Sequence, residues 1–414
     1  MTGLLATVAL FPAVGAAVSR LIGRVQPFLA GAGAVGALLF VLNLAHVPLL
    51  AALAMIAVAT IVVLALKRGE HDERPTEWIP TILIAAVSAW LLFITAVVPL
   101  DDYDGRAFWL LKAKAIAHEK QVDGPFFQEK ETDSPRNQYP LLVPIDAALT
   151  MLAGRELDDR HARWLYALFA IGFALEVRRR LGAWPAAVFI CLPVILDTAN
   201  TAGSDIALGA FAAAAFFAIV DGASPQQLGF WLACAVLTKS EGLPLAALLL
   251  AVGAFVFRKR IVIAAAPFAV STAALLLWRT KIHRTDEAPF ARLVFDWAQH
   301  LRSLRGTAWG FAGQLWNFAN WGGLWIAVVA AVALLAWRKK WRAVALTAGI
   351  LVPMIALYAV SIAVTDFDLA RMDGLARRLL THLLGPALYA LAAVLVEAPD
   401  PRQIVGERQH EEHA

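Results

Sequence analysis

Three carboxylates stand close together at the end of a hydrophobic segment of this chain. Asp101, Asp102 and Asp104 follow almost directly on the apolar segment 79–98. Carboxylates at the edge of a membrane are well placed to act on a lipid-linked substrate. The same residues could instead simply end the segment, with Asp104 capping the helix that starts at Gly105. The residue types alone leave both interpretations open.

The helix predicted after these acids carries two narrow apolar stripes with Lys112 between them. The stripes are Phe108, Leu111 and Ala115, and Trp109, Ala113 and Ile116. The helix is therefore not amphipathic with a single apolar face. We expect it to lie half-submerged in the membrane interface, with Lys112 and Lys114 extending toward lipid headgroups or phosphates.

Two further groups of charged residues lie at the ends of apolar segments. Asp205 opens a segment after the polar stretch DTANTAGSD, where Ser204 or Asp205 could serve as a helix cap. A capping aspartate could also bind a metal ion or an acceptor. Lys239 and Glu241 occupy the corner TKSEG between two short apolar segments. Charged side chains at membrane depth are costly and tend to be functional, although a simple turn at the interface would also place them there.

A cationic group is predicted near the C-terminus. Spacings of seven and four residues place Arg371, Arg378 and His382 on one face of a helix, unless Gly374 interrupts it. They fall on the external side in the topology given below, where arginine is disfavoured, so they indicate an anionic partner such as phosphate. The alternative is a set of salt bridges to Asp366, Asp368 or Asp373.

Composition assigns the chain to the membrane. Of its 414 residues, 60% are hydrophobic and 16% are charged, whereas about a quarter of a soluble domain is charged. Apolar runs long enough to cross a bilayer, about 17–25 residues, recur throughout. The prediction is an all-α, polytopic membrane protein of about 13 helices, some of them short or re-entrant. Cys191 and Cys234 lie in apolar segments and are interpreted as small core residues.

Basic clusters predict how the chain crosses the membrane, because such clusters stay in the cytoplasm. They are Arg20/Arg24, Lys67/Arg68/Arg74, Arg178–Arg180, Arg258–Arg260 and Arg338–Arg342. All five clusters fall on the cytoplasmic side under two conditions. Segment 140–153 must not cross the membrane, and segments 227–237 and 242–257 must together cross it once in each direction. The N-terminus is then outside and the C-terminus is cytoplasmic.

This topology divides the chain into four parts. Residues 1–98 are N-terminal transmembrane helices, and 99–161 form a large external loop with juxtamembrane helices and the candidate acids. Residues 162–397 form a transmembrane core with an external loop, 279–321. The tryptophans of that loop fit an interfacial aromatic belt or, alternatively, a platform for stacking saccharides. Residues 398–414 are expected to be a disordered cytosolic tail.

The order of motifs between residues 100 and 182 resembles the GT-C superfamily of membrane glycosyltransferases, which includes protein O-mannosyltransferases and aminoarabinose transferases. YDGRAFWLLKAKA at 103–115 is similar to the family's aromatic-Asp motif and juxtamembrane helix, and YPLLVP to its Pro-containing element. HARWL and RRRLG then follow in the family's order. Asp104 is followed by Gly105, where many members have Asp-Glu, so the choice between Asp104 and Asp102 stays open.

The resemblance implies an enzyme that transfers a sugar, with inversion, from a polyprenyl-phosphate donor to an acceptor at the external, periplasmic face of a bacterial-type plasma membrane. Asp104 would be the general base, with Asp102 and Asp101 as neighbours. The donor phosphate would be bound by Arg378, His382, Lys239, Arg371 and Lys112. Asp205 and Glu241 would lie on the acceptor or metal side.

This hypothesis requires the charged groups to converge. Asp104, Asp205, Arg378 and His382 must share one pocket at the outer rim of the bilayer. The residues indicate no particular cofactor, and a divalent metal between the acids is left open, as are the sugar, the carrier length and the acceptor. No nucleic-acid partner is expected.

Two other classes of protein compete with a glycosyltransferase. A polytopic transporter or lipid flippase is the main alternative, and it would favour inverted repeats and ionisable residues at the membrane midplane. Here the charges crowd one face and the mid-span regions are almost wholly apolar, which favours chemistry at the surface. A structural assembly partner would not need Asp104, Asp205 and Arg378 on the same side.

Overall fold

The helices of this chain pack around a large hydrophobic core and a second, small apolar cluster. The computed structural model describes residues 2–66, 77–130, 136–283, 297–364 and 372–395. The described residues contain no β-strand. The expectation of an all-α chain is therefore confirmed.

The described residues form twenty α-helices. The first ten are α1 (Thr2–Ile22), α2 (Pro27–Leu44), α3 (Leu49–Leu66), α4 (Trp78–Val97), α5 (Leu111–Glu119), α6 (Pro125–Gln128), α7 (Leu142–Gly154), α8 (Asp159–Leu181), α9 (Ala183–Ile190) and α10 (Pro193–Asn200). The others are α11 (Asp205–Val220), α12 (Pro225–Thr238), α13 (Gly242–Phe257), α14 (Ile261–Lys281), α15 (Trp297–Gly313), α16 (Phe318–Trp321), α17 (Leu324–Trp337), α18 (Trp341–Val364), α19 (Met372–Thr381) and α20 (Leu384–Leu395). A π-helical turn, Gly105–Leu110, leads into α5.

Several helices are long and apolar enough to cross a membrane. By length and composition there are five within the described residues, with the apolar stretch Gly242–Lys281 of α13 and α14 counted once, or up to seven if each of two bent helix pairs is one span. The bent pairs are α9–α10, at 62°, and α19–α20, at 64°. Large apolar side chains on α3 and α4 face outward, with Ile61 and Ile79 each 66% exposed. These features suit an integral membrane protein, while the number of crossings stays a prediction.

Helix α7 does not carry the chain from one side of the bundle to the other. Lys112 of α5 donates from Nζ to the carbonyl of Arg136, at 2.6 Å, just before α7. Lys114, two residues further along α5, pairs with Asp159 at 2.8 Å, just after α7. The segments before and after α7 therefore both lie against α5. This 13-residue helix enters the bundle and is buried in it, and the chain leaves on the side where it entered.

A tight reversal separates α13 from α14. Arg258 has a left-handed backbone, with φ +49°, and a Cβ atom on Gly253 of α13 would lie 3.3 Å from Ile261 Cδ1 of α14. The two helices therefore fold back on each other and do not form one long rod. The sequence interpretation also ended one segment at 257 and began the next at 261.

Several arginines gather at one end of the bundle. At the end that we call the basic end, Arg20 contacts the carbonyl of Leu64, Gln227 contacts the carbonyl of Ile22 at 3.1 Å, and Arg342 contacts that of Val220 at 3.4 Å. Arg180 joins the same group by donating to Gln227 at 3.2 Å. Helix α11 runs from there back to Asp205, so its 16 residues separate the two ends by about 24 Å.

Small residues bring the last two helices onto α11. A Cβ atom on Gly209 would lie 2.7 Å from the carbonyl oxygen of Thr381, and one on Gly385 would lie 2.7 Å from Ala213 Cα. Side chains at these positions would push α19 and α20 away. The bend between α19 and α20 is thus held against the first turns of α11, beside Asp205.

Candidate functional site

Asp205, the first residue of α11, lies at the centre of a charged cluster. Its side chain is 1% exposed. Oδ1 accepts from Lys239 Nζ at 2.6 Å and lies 3.0 Å from His382 Nε2, and Oδ2 accepts from Arg378 Nε at 3.0 Å. A carboxylate this deeply buried needs paired charges and hydrogen bonds. Ser204 makes no capping bond to the helix, so the cations account for the position of Asp205 better than a capping role does.

Arg378 joins Asp205 to the acids before α5. Its Nη1 donates to Asp104 Oδ2 at 2.5 Å, while its Nε holds Asp205. Arg136 lies 3.5 Å from the same Asp104 oxygen. The planar guanidinium presents several donors in a fixed fork, and this allows one side chain to bridge two carboxylates. We call Asp104, Asp205, Lys239, Arg378 and His382 the Asp205 cluster.

Access differs within the Asp205 cluster. Asp104 is 18% exposed and Arg378 26%, whereas Lys239 is 3% exposed. Arg136 beside them is 38% exposed. An incoming group can therefore reach one carboxylate and two guanidinium groups, while Asp205 and Lys239 hold the arrangement from below.

Asp102 shapes the turn that presents Asp104. Its Oδ2 accepts from the Gly105 backbone N–H at 2.5 Å, so Asp102 caps this turn, and not Asp104, which makes no capping bond. Partial burial raises the pKa of Asp102, and the neighbouring Asp104 charge adds to the shift. Asp101 is exposed at the rim.

Gly105 allows the acidic turn to approach α11. A Cβ atom there would lie 2.2 Å from the carbonyl oxygen of Thr201 and 3.2 Å from Ala202 Cβ. Thr201 and Ala202 belong to the turn before α11, so contact with this turn sets the distance between Asp104 and Asp205. The packing of this chain therefore requires a glycine at position 105.

His382 is fixed from both sides of its ring. Nε2 faces Asp205, and Nδ1 lies 3.0 Å from the hydroxyl of Tyr358 in α18. Lys239 also lies 3.2 Å from Glu241. These contacts place His382, Lys239 and Glu241 around Asp205. The expectation that His382 and Lys239 bind the donor phosphate stays a prediction.

The expectations for the two lysines of α5 were wrong in their geometry. Lys112 is fully buried, and its Nζ lies 5.9 Å from the ring centre of Trp109 and 5.7 Å from that of Tyr139. The segment before α7 folds over α5 and covers Lys112, and Lys112 therefore holds this segment in place. Lys114 is bound to Asp159. Neither lysine extends freely toward lipid headgroups, and Arg371 lies outside the described residues.

Sequence reasoning missed three residues near or below the cluster. Arg136 and Tyr358 contact it from distant parts of the chain, and Asp146 lies in the core below it. A tyrosine within an apolar span and an aspartate within the short segment 140–153 were the available signals. No local pattern indicated where their side chains lie.

The Asp205 cluster is not arranged for a metal ion. No group of three or more His, Cys, Asp or Glu side chains within the described ranges is placed to hold one. Both oxygens of Asp205 already face cationic partners, which would repel a divalent cation.

Comparison with protein-family models, curated proteins and solved structures found no match. The function must therefore be inferred from the chemistry of the Asp205 cluster and from its position in the bundle.

Proposed function

We propose that this protein is an integral-membrane glycosyltransferase that moves a sugar from a polyprenyl-phosphate donor to an acceptor hydroxyl or similar group. The observation that carries the proposal is the bridge from Arg378 to both Asp104 and Asp205. It joins an accessible carboxylate to accessible guanidinium groups at the end of an apolar bundle. A lipid-borne phosphate and a hydroxyl nucleophile need these two kinds of group side by side.

The chemistry uses one proton transfer and one displacement. The acceptor hydroxyl gives its proton to a carboxylate as its oxygen attacks the anomeric carbon. The bond from that carbon to the phosphate oxygen breaks, and its electrons leave with the polyprenyl phosphate. Attack on the face opposite the leaving group inverts the anomeric centre.

The residues divide these tasks. Arg378 and Arg136 stabilise the charge that grows on the departing phosphate, because guanidinium groups bind phosphate oxygens bidentately. A phosphate that binds them competes with Asp104 for the same donors, and this frees Asp104 to accept the acceptor proton. Asp102 is the second candidate base, since partial burial raises its pKa toward the range useful in proton transfer.

The position of the Asp205 cluster supports an external active site. It lies at the end of α11 opposite the basic end, where Arg20, Arg180 and Arg342 are found. Basic clusters stay in the cytoplasm, so the Asp205 cluster would face outward, toward the periplasm of a bacterial-type cell. Polyprenyl carriers are lipids, and the donor would reach the cluster from within the membrane.

A test compares two Asp→Asn substitutions at this end of the bundle. Asp104→Asn should lower sugar transfer from membrane lipids about 10²–10⁴-fold, the usual contribution of a general base. Asp197→Asn is the matched control, because Asp197 pairs with Arg377 nearby at 2.9 Å and makes no contact with Asp104. Unchanged transfer in Asp104→Asn membranes, with Asp102→Asn membranes inactive, would move the base to Asp102. Unchanged transfer in both Asp104→Asn and Asp102→Asn membranes would exclude both aspartates as the base, and membranes with the wild-type protein that form no glycosidic product would exclude a glycosyltransferase.

A transporter or lipid flippase is the second candidate, and the two bent helix pairs favour it. Broken helices beside a charged site are common in secondary transporters, and the α19–α20 bend holds His382 next to Asp205. The same membranes distinguish the two candidates. Movement of the lipid across the bilayer without a new glycosidic product would identify a flippase.

A further inference from the structure

Asp146 of α7 is a buried carboxyl that the proposed transfer does not use. Its side chain is completely buried. Neither Oδ1 nor Oδ2 has a hydrogen-bond partner within the described part of the chain. Every charged member of the Asp205 cluster, by contrast, is paired. Asp146 is therefore in a different chemical state from the acids at the cluster.

The side chain of Asp146 lies at mid-depth in the bundle. A Cβ atom on Gly36 of α2 would lie 3.2 Å from Asp146 Oδ1. Gly36 is midway along α2, which runs from the basic end to Leu44, whose carbonyl contacts Lys281 at 3.3 Å. Either end of α2 is about 12 Å away from Gly36. Asp146 thus lies inside the bundle, away from both ends of α2.

The groups around Asp146 are neutral. Helix α2 presents Gly36 and Gly33, and the thiol of Cys234 in α12 packs against Gly33. Tyr166 of α8 is within electrostatic range, is fully buried and has an unpartnered hydroxyl. No cation of the described chain acts on Asp146. Nothing there balances a negative charge.

An isolated carboxylate in such surroundings costs so much free energy that the group takes up a proton instead. A hard metal cation is a poor substitute, because it would need about six oxygen ligands. Within the described residues, no three metal-binding side chains stand together. The proton is the one cation that a single carboxyl can hold alone.

We propose that Asp146 is a proton-binding site halfway through the membrane, occupied at neutral pH and enclosed by α2, α7, α8 and α12. The proton is held as the O–H of a carboxylic acid, and it passes to water when water enters this space. Such sites serve proton relays and proton-driven transitions in membrane proteins. The inference is independent of sugar transfer and adds a function that glycosyl transfer does not require.

Infrared difference spectroscopy on the purified protein in lipid nanodiscs tests this site. The wild-type minus Asp146→Asn spectrum should contain the C=O stretch of a protonated carboxyl, and the band should persist from about pH 5 to about pH 9, far above the ordinary aspartate range. Asp221→Asn is the matched control, because Asp221 pairs with Arg180 and should contribute only carboxylate bands. Carboxylate bands assigned to Asp146 at neutral pH, with or without dependence on sodium, would overturn the proposal.

A second measurement needs no variant. A hydrophobic carbodiimide reacts with protonated carboxyls in apolar surroundings, so peptide mapping of the labelled wild-type protein should find at least tenfold more label on Asp146 than on Asp205. Equal labelling, or more label on Asp205, would contradict the proposal. Sugar transfer plays no part in either readout, so failure here leaves the proposed function untouched.

Discussion

Arg378 is the residue on which the charged site depends most. It is the one described side chain that contacts both Asp104 and Asp205. Asp205 is buried, and removing a partner from a buried charge costs about 3–5 kcal/mol because the remaining charge is left uncompensated. Arg378 therefore has a structural task toward Asp205 and, in the proposed reaction, an electrostatic task toward the donor phosphate.

Arg378→Lys separates these tasks, since an ammonium group is a point charge and cannot span two carboxylates as a guanidinium does. We expect sugar transfer to fall about 10–100-fold, corresponding to the loss of one charged hydrogen bond of about 1.5–3 kcal/mol. Arg377→Lys is the matched control, because Arg377 pairs with the exposed Asp197. Transfer assays and melting temperatures of both variants provide the measurement. An equal loss of sugar transfer in Arg378→Lys and Arg377→Lys would show that the bridge made by Arg378 has no special role.

At the scale of elements, the π-helical turn Gly105–Leu110 and the turn before α11 form the frame of the site. Their backbones approach so closely at Gly105 and Thr201 that no side chain fits between them. This contact fixes Asp104 relative to α11. The glycine and alanine contacts of α11 with α19 and α20 fix Arg378 and His382 in the same way.

Gly105→Ala tests this frame. The added Cβ would lie 2.2 Å from the carbonyl oxygen of Thr201, so one of the two turns must move, at a cost typical of overpacking, about 1–3 kcal/mol. We expect a lower melting temperature together with reduced transfer. Gly313→Ala is the control, since a Cβ there meets nothing within 4 Å among the described atoms and should leave both quantities near the wild-type values. A Gly105→Ala protein as stable and as active as that control would refute the role of the contact.

The sequence predicts the polar ends of the helices better than it predicts their interior contacts. Asp104, Asp205, Lys239, Arg378 and His382 each stand where an apolar segment ends or breaks, and that pattern is local. The burial of Lys112 depends on how residues 136–139 fold over α5, which no local pattern encodes. Tyr358 and Asp146 were missed for the same reason, because their importance lies in long-range packing. The expectation that mid-span regions are almost wholly apolar overlooked Asp146.

At the scale of the whole molecule, the basic end and the Asp205 cluster lie at opposite ends of the bundle. Arg20, Arg180 and Arg342 gather at one end, and the Asp205 cluster lies at the other. The basic residues 67, 68 and 74 lie outside the described residues. The proposed orientation, in which the basic end faces the cytoplasm, places the Asp205 cluster outside and stays a prediction.

Cysteine accessibility tests this orientation. Cys191, interpreted from the sequence as a core residue, is exposed in the structure, whereas Cys234 is buried. In a Cys191→Ser background, which removes the exposed thiol, Lys130→Cys should react with a membrane-impermeant maleimide in intact spheroplasts. Lys259→Cys, next to the reversal between α13 and α14, should react only after the membrane is permeabilised. Both lysines are exposed in the structure. A difference in labelling between the two cysteine variants therefore reports the side of the membrane on which each residue lies. The reverse pattern would place the Asp205 cluster in the cytoplasm and exclude a periplasmic active site.

The bridge at Arg378 also constrains the order in which the chain can mature. Asp205 meets Lys239 only 34 residues later, but Arg378 follows 173 residues after Asp205. During synthesis the carboxylate of Asp205 therefore first pairs with Lys239 alone, and Arg378 and His382 join it only after α19 has been made. The middle of the protein cannot reach its final packing until its last helices have left the ribosome and docked.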